Sequence, residues 1–312
     1  MNQKNGKADV VYAVETAGLT KTYRGKTVIK DLNLKVKQGD IYGFIGRNGA
    51  GKSTTLKMIS GLAHPASGEI RLFGKPVSDP VVRRRLGVLI EAPGLYPNMT
   101  ARQNMIMKAK CIGLADESGI TGVLEMTGLA DTGKKLVRHF SMGMKQRLAV
   151  ALALLGNPDL LILDEPVNGL DPEGILQLRQ LFLRLNGEGK TIMLSSHILG
   201  ELSKISTSYG IIKDGELIEQ ITREELEQQC QDYFEVGVQD VHRALALLQE
   251  AFASVRAEVS GPQTIRIYGL TEGASVVQVL VEHQVPVHAS GFHHMDLEEY
   301  FLTRMEGGRR HV

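Results

Sequence analysis

The octapeptide Gly46–Arg47–Asn48–Gly49–Ala50–Gly51–Lys52–Ser53 constrains this 312-residue chain more than any other feature. It follows the apolar run Ile41–Tyr42–Gly43–Phe44–Ile45 and leads into a helix starting near Lys52, so it reads as strand, glycine-rich turn and helix. Its spacing, G-x-x-x-x-G-K-[ST], is that of a phosphate loop. Glycines let the backbone wrap around a phosphate chain with its N–H groups inward, and the helix N-terminus adds positive potential. Gly46, Asn48, Gly49, Ala50 and Gly51 are therefore expected to line the phosphates. Lys52 is expected to reach the β- and γ-phosphates, Ser53 to ligate Mg²⁺, and Thr54 to add a further hydroxyl.

A second motif lies downstream. Leu160–Leu161–Ile162–Leu163 is a buried-type strand that ends in Asp164–Glu165. The pattern puts Asp164 at the strand's carboxyl end beside the phosphate loop, where it can hold the Mg²⁺ shell. Glu165 is then placed to orient or activate an attacking water. A helix from about Glu173 to Leu185 and another apolar strand, Thr191–Leu194, follow, and strand–helix–strand order implies a parallel α/β sheet.

The rest of the chain adds three blocks. Val10–Val14, then a turn, Thr27–Ile29 and Leu32–Val36 alternate with period two and predict a small antiparallel sheet. Residues 100 to 155 look mainly helical. After residue 220 the pattern becomes βαββαβ, a small α+β unit with no motif that carries chemistry. The expected division is 10–222, with a helical portion at about 95–158, and 223–312.

Phe140–Ser141–Met142–Gly143–Met144–Lys145–Gln146–Arg147–Leu148 opens a helix shortly before Asp164 and resembles the ABC signature loop, usually LSGGQ. Asn168–Gly169–Leu170–Asp171 then stands at the D-loop position and Ser196–His197 at the switch-histidine position. In this order, over roughly residues 12 to 220, the chain resembles the ABC ATPases. The resemblance implies an α/β P-loop NTPase core with an N-terminal antiparallel β-subdomain and an inserted helical subdomain, plus the small C-terminal α+β domain. It implies ATP and Mg²⁺ as cofactors, Ser53 and Asp164 as metal ligands, and Glu165 with His197 as catalytic residues. Tyr23 falls where the family stacks an aromatic ring on adenine, and Asp171 joins the nucleotide-contacting set. Ser141 and Gly143 would cap the γ-phosphate held by another subunit, so two chains must pair head to tail around two ATP molecules. The implied partners are a second copy or a paralogous ATPase subunit, and an integral-membrane permease. That would attach a cytoplasmic protein peripherally to the inner face of the cell membrane.

Two departures narrow the resemblance. After the Leu86–Ile90 strand the usual Gln is Glu91, which can accept from metal-bound water but cannot donate; it joins the metal set and the expected coupling to the permease. Met142 and Met144 replace Gly and Gln, and neither hydrogen-bonds a phosphate or ribose well, so hydrolysis could be slow. Together with Asn-Gly-Leu-Asp-Pro, Ser-Ser-His-Ile-Leu and the terminal Asp296–Leu302 stretch, these features look like the bacitracin and lantibiotic self-protection branch. That branch pairs its ATPase with a separate permease for export of peptide antibiotics.

Other classes fit less well. A net charge of +1 gives no reason to expect nucleic acid as a partner, and Arg83–Arg84–Arg85 reads as a solvated face. An ABC ATPase acting on ribosomes or DNA, the alternative function, usually carries two ATPase modules, a coiled-coil insertion or basic extensions; this chain has one phosphate loop. A third reading, in which 223–312 binds a small ligand and gates the motor, can coexist with transport. His283, His288, His293 and His294 with Asp296 share no fixed face and predict no metal site. Cys111 and Cys230 have no metal or redox spacing. The first residues have no apolar core for a secretory signal, and Leu148–Leu163 is broken by Gly156–Asp159, too short to cross a bilayer.

Overall fold

The computed structural model describes residues 11–91, 94–114, 117–196, 199–230, 232–252, 255–270, 272–293 and 297–306. The chain divides into two compact units, Met1–Thr222 and Arg223–Val312. The first runs β1 (Tyr12–Tyr23), β2 (Lys26–Leu32), β3 (Lys35–Lys37), β4 (Ile41–Ile45), α1 (Lys52–Ile59), β5 (Ser67–Leu72) and β6 (Lys75–Pro76). A single turn, α2 (Pro80–Arg83), and β7 (Leu86–Leu89) lead to three helices, α3 (Ala101–Cys111), α4 (Ser118–Met126) and α5 (Met142–Leu154). The unit closes with β8 (Leu160–Asp164), α6 (Pro172–Gly187), β9 (Thr191–Ser196), α7 (Leu199–Leu202), β10 (Ser208–Lys213) and β11 (Glu216–Thr222).

The first strand does not end at Val14 as expected; it runs on to Tyr23, and the turn before Thr27 falls at Arg24–Gly25. β1 is one 12-residue strand, and the irregularity is absorbed as shifts in register, between Leu19 and Lys21 against β2 and between Ala17 and Thr20 against β5. Gly18, at φ 61, adopts the left-handed backbone that a bulge calls for. β1 sits inside the antiparallel sheet β2-β1-β5-β6, with β3 also paired to it.

The second sheet has the order β11-β10-β4-β9-β8-β7. Its four pairings from β10 to β7 are all parallel, and β11 joins β10 antiparallel at the edge. Leu160–Leu163 and Ile192–Met193 are fully buried, as a parallel sheet covered on both faces requires. Each such side chain contributes about 1.5–3 kcal/mol on burial. Leu56, Met58 and Ile59 of α1 share one core with Val14, Leu32 and Leu72 of the antiparallel sheet and Leu160 and Ile162 of the parallel one. The helical insertion has its own core, built on Met105, Leu124, Phe140 and Leu148.

The register fixes where the site forms. Ile45 at the end of β4 lies opposite Ser196 of β9, and Asp164 at the end of β8 lies opposite Ser195. The loop leaving β4 and the acids ending β8 thus emerge at the same edge of the sheet, one strand apart.

The second unit runs α8 (Arg223–Gln229), β12 (Tyr233–Val238), α9 (Val241–Ala251), β13 (Arg256–Gly261), β14 (Thr264–Tyr268), α10 (Ala274–Glu282), β15 (Val287–His293) and α11 (Leu297–Glu306). Its antiparallel sheet has the order β13-β14-β12-β15. One face buries Phe234, Val236, Ile265 and Ile267 against Ala244, Leu248, Val276 and Leu280 of the helices. On β12, β13 and β14 an ionic and aromatic network forms. Tyr268 donates to Glu258 at 2.8 Å, Arg256 to Glu258 at 2.9 Å and Arg266 to Glu235 at 3.1 Å. Burial and the Glu258 bond push the Tyr268 hydroxyl up to about 12. Burial opposes ionisation of Glu258, but the bonds from Tyr268 and Arg256 outweigh it and hold the carboxyl below its ordinary value. His293 stacks on Tyr233 at 5.3 Å. Among the described residues no group of His, Cys, Asp and Glu could hold a metal, and no helix is long and apolar enough to cross a membrane.

Candidate nucleotide site

Gly46 begins the loop after β4 in a tight space. A Cβ there would lie 2.6 Å from the Ile212 carbonyl oxygen and 3.2 Å from the Ala50 Cβ, so a side chain would push the loop off β10. Ala50 donates its N–H to the Arg47 carbonyl at 3.1 Å and accepts from the Gly215 N–H at 3.0 Å, which ties the loop to the β10–β11 turn. Asn48 and Gly49 are exposed at the tip. Gly51 stands at the N-cap of α1 with φ 113 and offers no side-chain cap. The N–H groups of Lys52, Ser53 and Thr54 therefore open the helix without intrahelical partners, the arrangement that attracts an anion. Ser53 and Thr54 are half-buried in this first turn. The Lys52 ammonium is buried, donates to the Gly46 carbonyl at 2.6 Å, and lies 3.8 Å from the Glu165 carboxylate.

The two acids are held differently. Asp164 is 8% exposed and accepts a hydrogen bond from the Ser195 hydroxyl at 2.5 Å. Glu165 has left the strand: its φ is 48, and its N–H donates to the Ser195 hydroxyl at 3.1 Å and the Ser195 carbonyl at 3.2 Å. That backbone is sparsely populated for a non-glycine residue and persists where neighbours over-determine it. The result turns the Glu165 carboxylate away from the strand direction and towards Lys52. The oxygen donors Ser53 and Asp164 match what Mg²⁺ requires.

The other residues named from the sequence are spread over the unit. Tyr23 is half exposed at the end of β1, with the Lys21 ammonium 4.7 Å from its ring centre. Ser141 is exposed at the N-cap of α5, where its hydroxyl accepts from the Met144 N–H at 3.3 Å. A Cβ on Gly143 would lie 3.7 Å from Leu170, so the helix start rests on the 168–171 segment. Asp171 caps α6, accepting from the Gly174 N–H at 3.1 Å. Glu91 follows β7 with φ 62, and its carboxylate is ion-paired with Lys57 of α1. His197 lies outside the described residues. A cleft of about 560 Å³ brings Glu91, Asp164, Glu165 and Asn168 together with Met142, Lys145, Gln146 and Arg138. Ser141, Gly143 and the phosphate loop are not among its walls.

Sequence reasoning missed Ser195 and Lys57. Ser195 carried a weak signal, as a polar residue ending an otherwise apolar buried run; Lys57 looked like one more surface charge on a helix.

A phosphate loop, a buried Asp164 and a part-buried Glu165 on this sheet order define a nucleotide-binding cassette. The family model described as ABC transporter matches residues 29–168, and the chain belongs to the ABC transporter ATP-binding family. The bacitracin transport ATP-binding protein BcrA of Bacillus licheniformis is 43% identical over 299 residues, covering 95% of this chain and 98% of that one. The lantibiotic transport ATP-binding protein SrtF of Streptococcus pyogenes is 43% identical over 200 residues, covering 64% and 86%. Among solved structures, an ATP-binding subunit of an ABC transporter matches with TM-score 0.63 and 32% identity over 70% of this chain and 92% of that one. A dimeric ATP-binding cassette in a post-hydrolysis state with ADP and Pi matches with TM-score 0.61 and 28% identity, over 67% and 98%.

Proposed function

We propose that this chain hydrolyses ATP as the motor subunit of an exporter, paired head to tail with a second copy or a paralogous subunit. In this reading it drives a separate integral-membrane permease that removes peptide antibiotics, and sits at the inner face of the cell membrane through that permease. The observation that carries the proposal is the convergence of the buried Lys52 and Asp164 with the part-buried Glu165 at one sheet edge. Full-length similarity to a bacitracin transport ATP-binding protein supports the choice of branch.

The residues divide the work. Loop N–H groups and the start of α1 bind the phosphates of ATP, and the Lys52 ammonium turns from the Gly46 carbonyl to the β- and γ-phosphates. Tyr23 stacks on the adenine. Ser53 and Asp164 would hold Mg²⁺, which when bound neutralises charge on the phosphates. Glu165 accepts a proton from the attacking water as that water's oxygen joins the γ-phosphorus and the bond to ADP breaks. Ser195 keeps both acids in place, and His197 helps hold the water. The α5 N-terminus, with Ser141 and Gly143, presents an anion-favouring end to the γ-phosphate on the other chain, and Asp171 lies beside it. Glu91 would add a carboxylate beside the Mg²⁺ site and couples hydrolysis to the permease.

The test is co-expression with the polytopic proteins encoded beside the gene. Recovery of the chain from detergent-solubilised membranes with one of them, and ATPase activity of that complex, are expected. A chain that stays wholly in the soluble fraction, or a complex that does not turn over ATP, overturns the proposal.

A further inference from the structure

We infer that Lys57 is a positioning residue for Glu91, the cation that allows a carboxylate to stand where the family usually has an amide. The inference rests on the function proposed above and adds to it a residue on a different element. Glu91 shares its cleft with Asp164 and Glu165. An ionised third carboxylate there is repelled by the other two, and its preferred position would be away from them. Lys57 meets it directly, and its ammonium donates to Glu91 Oε1. Arg138 and Lys145 line the same cleft, but Arg138 is engaged with His139 at 2.8 Å and Asn98 at 3.3 Å.

The elements joined give the contact its meaning. α1 begins at the phosphate loop, and Lys57 lies five residues after Lys52, about one and a half turns along the helix. Glu91 lies two residues past the end of β7 and opens the segment leading to α3, the first helix of the insertion. Its φ of 62 commits that backbone to one direction. The ion pair therefore links the nucleotide-binding helix to the entrance of the helical insertion. Glu91's side chain is 65% exposed and that of Lys57 32%, and such pairs add little to stability. What the pair controls is the position of the Glu91 carboxylate. A neutral amide at 91 would not need it, so the importance of Lys57 must depend on the charge at residue 91.

The full-length chain tests this through kcat and KM for ATP in Lys57→Met, Lys57→Arg, Glu91→Gln and the Lys57→Met/Glu91→Gln double variant. Lys57→Met should lower kcat about tenfold with KM within about twofold, and Lys57→Arg should retain at least about half of the parent kcat. On the Glu91→Gln background, Lys57→Met should change kcat by less than about twofold. An equal loss on both backgrounds, no loss with Lys57→Met, or failure of Lys57→Arg to restore kcat overturns the inference. A parent chain that turns over ATP neither alone nor with its permease would overturn the proposed function instead. For a parent chain that turns over ATP only with its permease, the same kcat comparison is made on that complex, and the same outcomes decide the pair.

Discussion

Ser195 shows how one buried hydroxyl can organise two acids with opposite tasks. It donates to Asp164 and accepts from the Glu165 N–H, so its loss frees a buried carboxylate and leaves the Glu165 N–H only the Ser195 carbonyl. For Ser195→Ala we expect kcat to fall about tenfold with ATP affinity nearly unchanged, the pattern of a misplaced catalytic group. Steady-state kinetics check this, and a parent-like kcat would remove Ser195 from the site. Glu165→Gln should keep ATP binding, lower turnover by at least about a hundredfold and accumulate the paired state, read by hydrolysis rate and by size-exclusion with light scattering. A variant hydrolysing at the parent rate would mean another group handles the water. The loop and the acids were legible in the sequence because both are contiguous motifs. Ser195 and Lys57 were not, because each acts through a partner some 30 residues away in the chain, brought close only by the fold.

At the scale of elements, the parallel strands were legible because their apolar runs are uninterrupted and bounded by turn residues. β1 was not, because Gly18 reads equally as a turn or as a bulge inside a strand, and only pairing with β2 and β5 decides between them. Helix boundaries rest on caps. Thr100 and Gln103 form a reciprocal capping box at the start of α3. Thr100→Ala should cost about 1 kcal/mol, lowering the thermal midpoint while leaving ATP affinity at the parent value. In the C-terminal unit the Tyr268–Glu258 bond ties β14 to β13. Tyr268 rises from 10.0 to about 12 in the folded chain, so its contribution is whole below pH 10 and is lost as pH climbs from 10 to 12. Glu258 is held below 4.5, so its contribution is present above that pH and is lost on acidification. Tyr268→Phe in the full chain should flatten the alkaline loss of stability between pH 10 and 12, as read by urea unfolding. An unchanged pH profile would show that the bond carries no weight.

The whole molecule poses the question of how a site is completed. Lys52 and Ser141 stand on different elements of one chain, and Ser141 is exposed with its hydroxyl turned onto its own helix. If each nucleotide is held by the loop of one chain and the α5 start of another, damage to the two parts must be separable between chains. Lys52→Met and Ser141→Arg chains should each be inactive alone. Mixed in equal amounts, half of the pairs combine one of each, and such a pair contains one site with both parts intact. For independent sites the mixture should recover about a quarter of parent activity. Recovery should follow the fraction of mixed pairs as the ratio is varied, and should vanish if the same two changes are placed in one chain. No recovery at any ratio, while mixed pairs are shown to form by differential tagging, would mean that each chain completes its own site. The exposed Ser141 would then need another role.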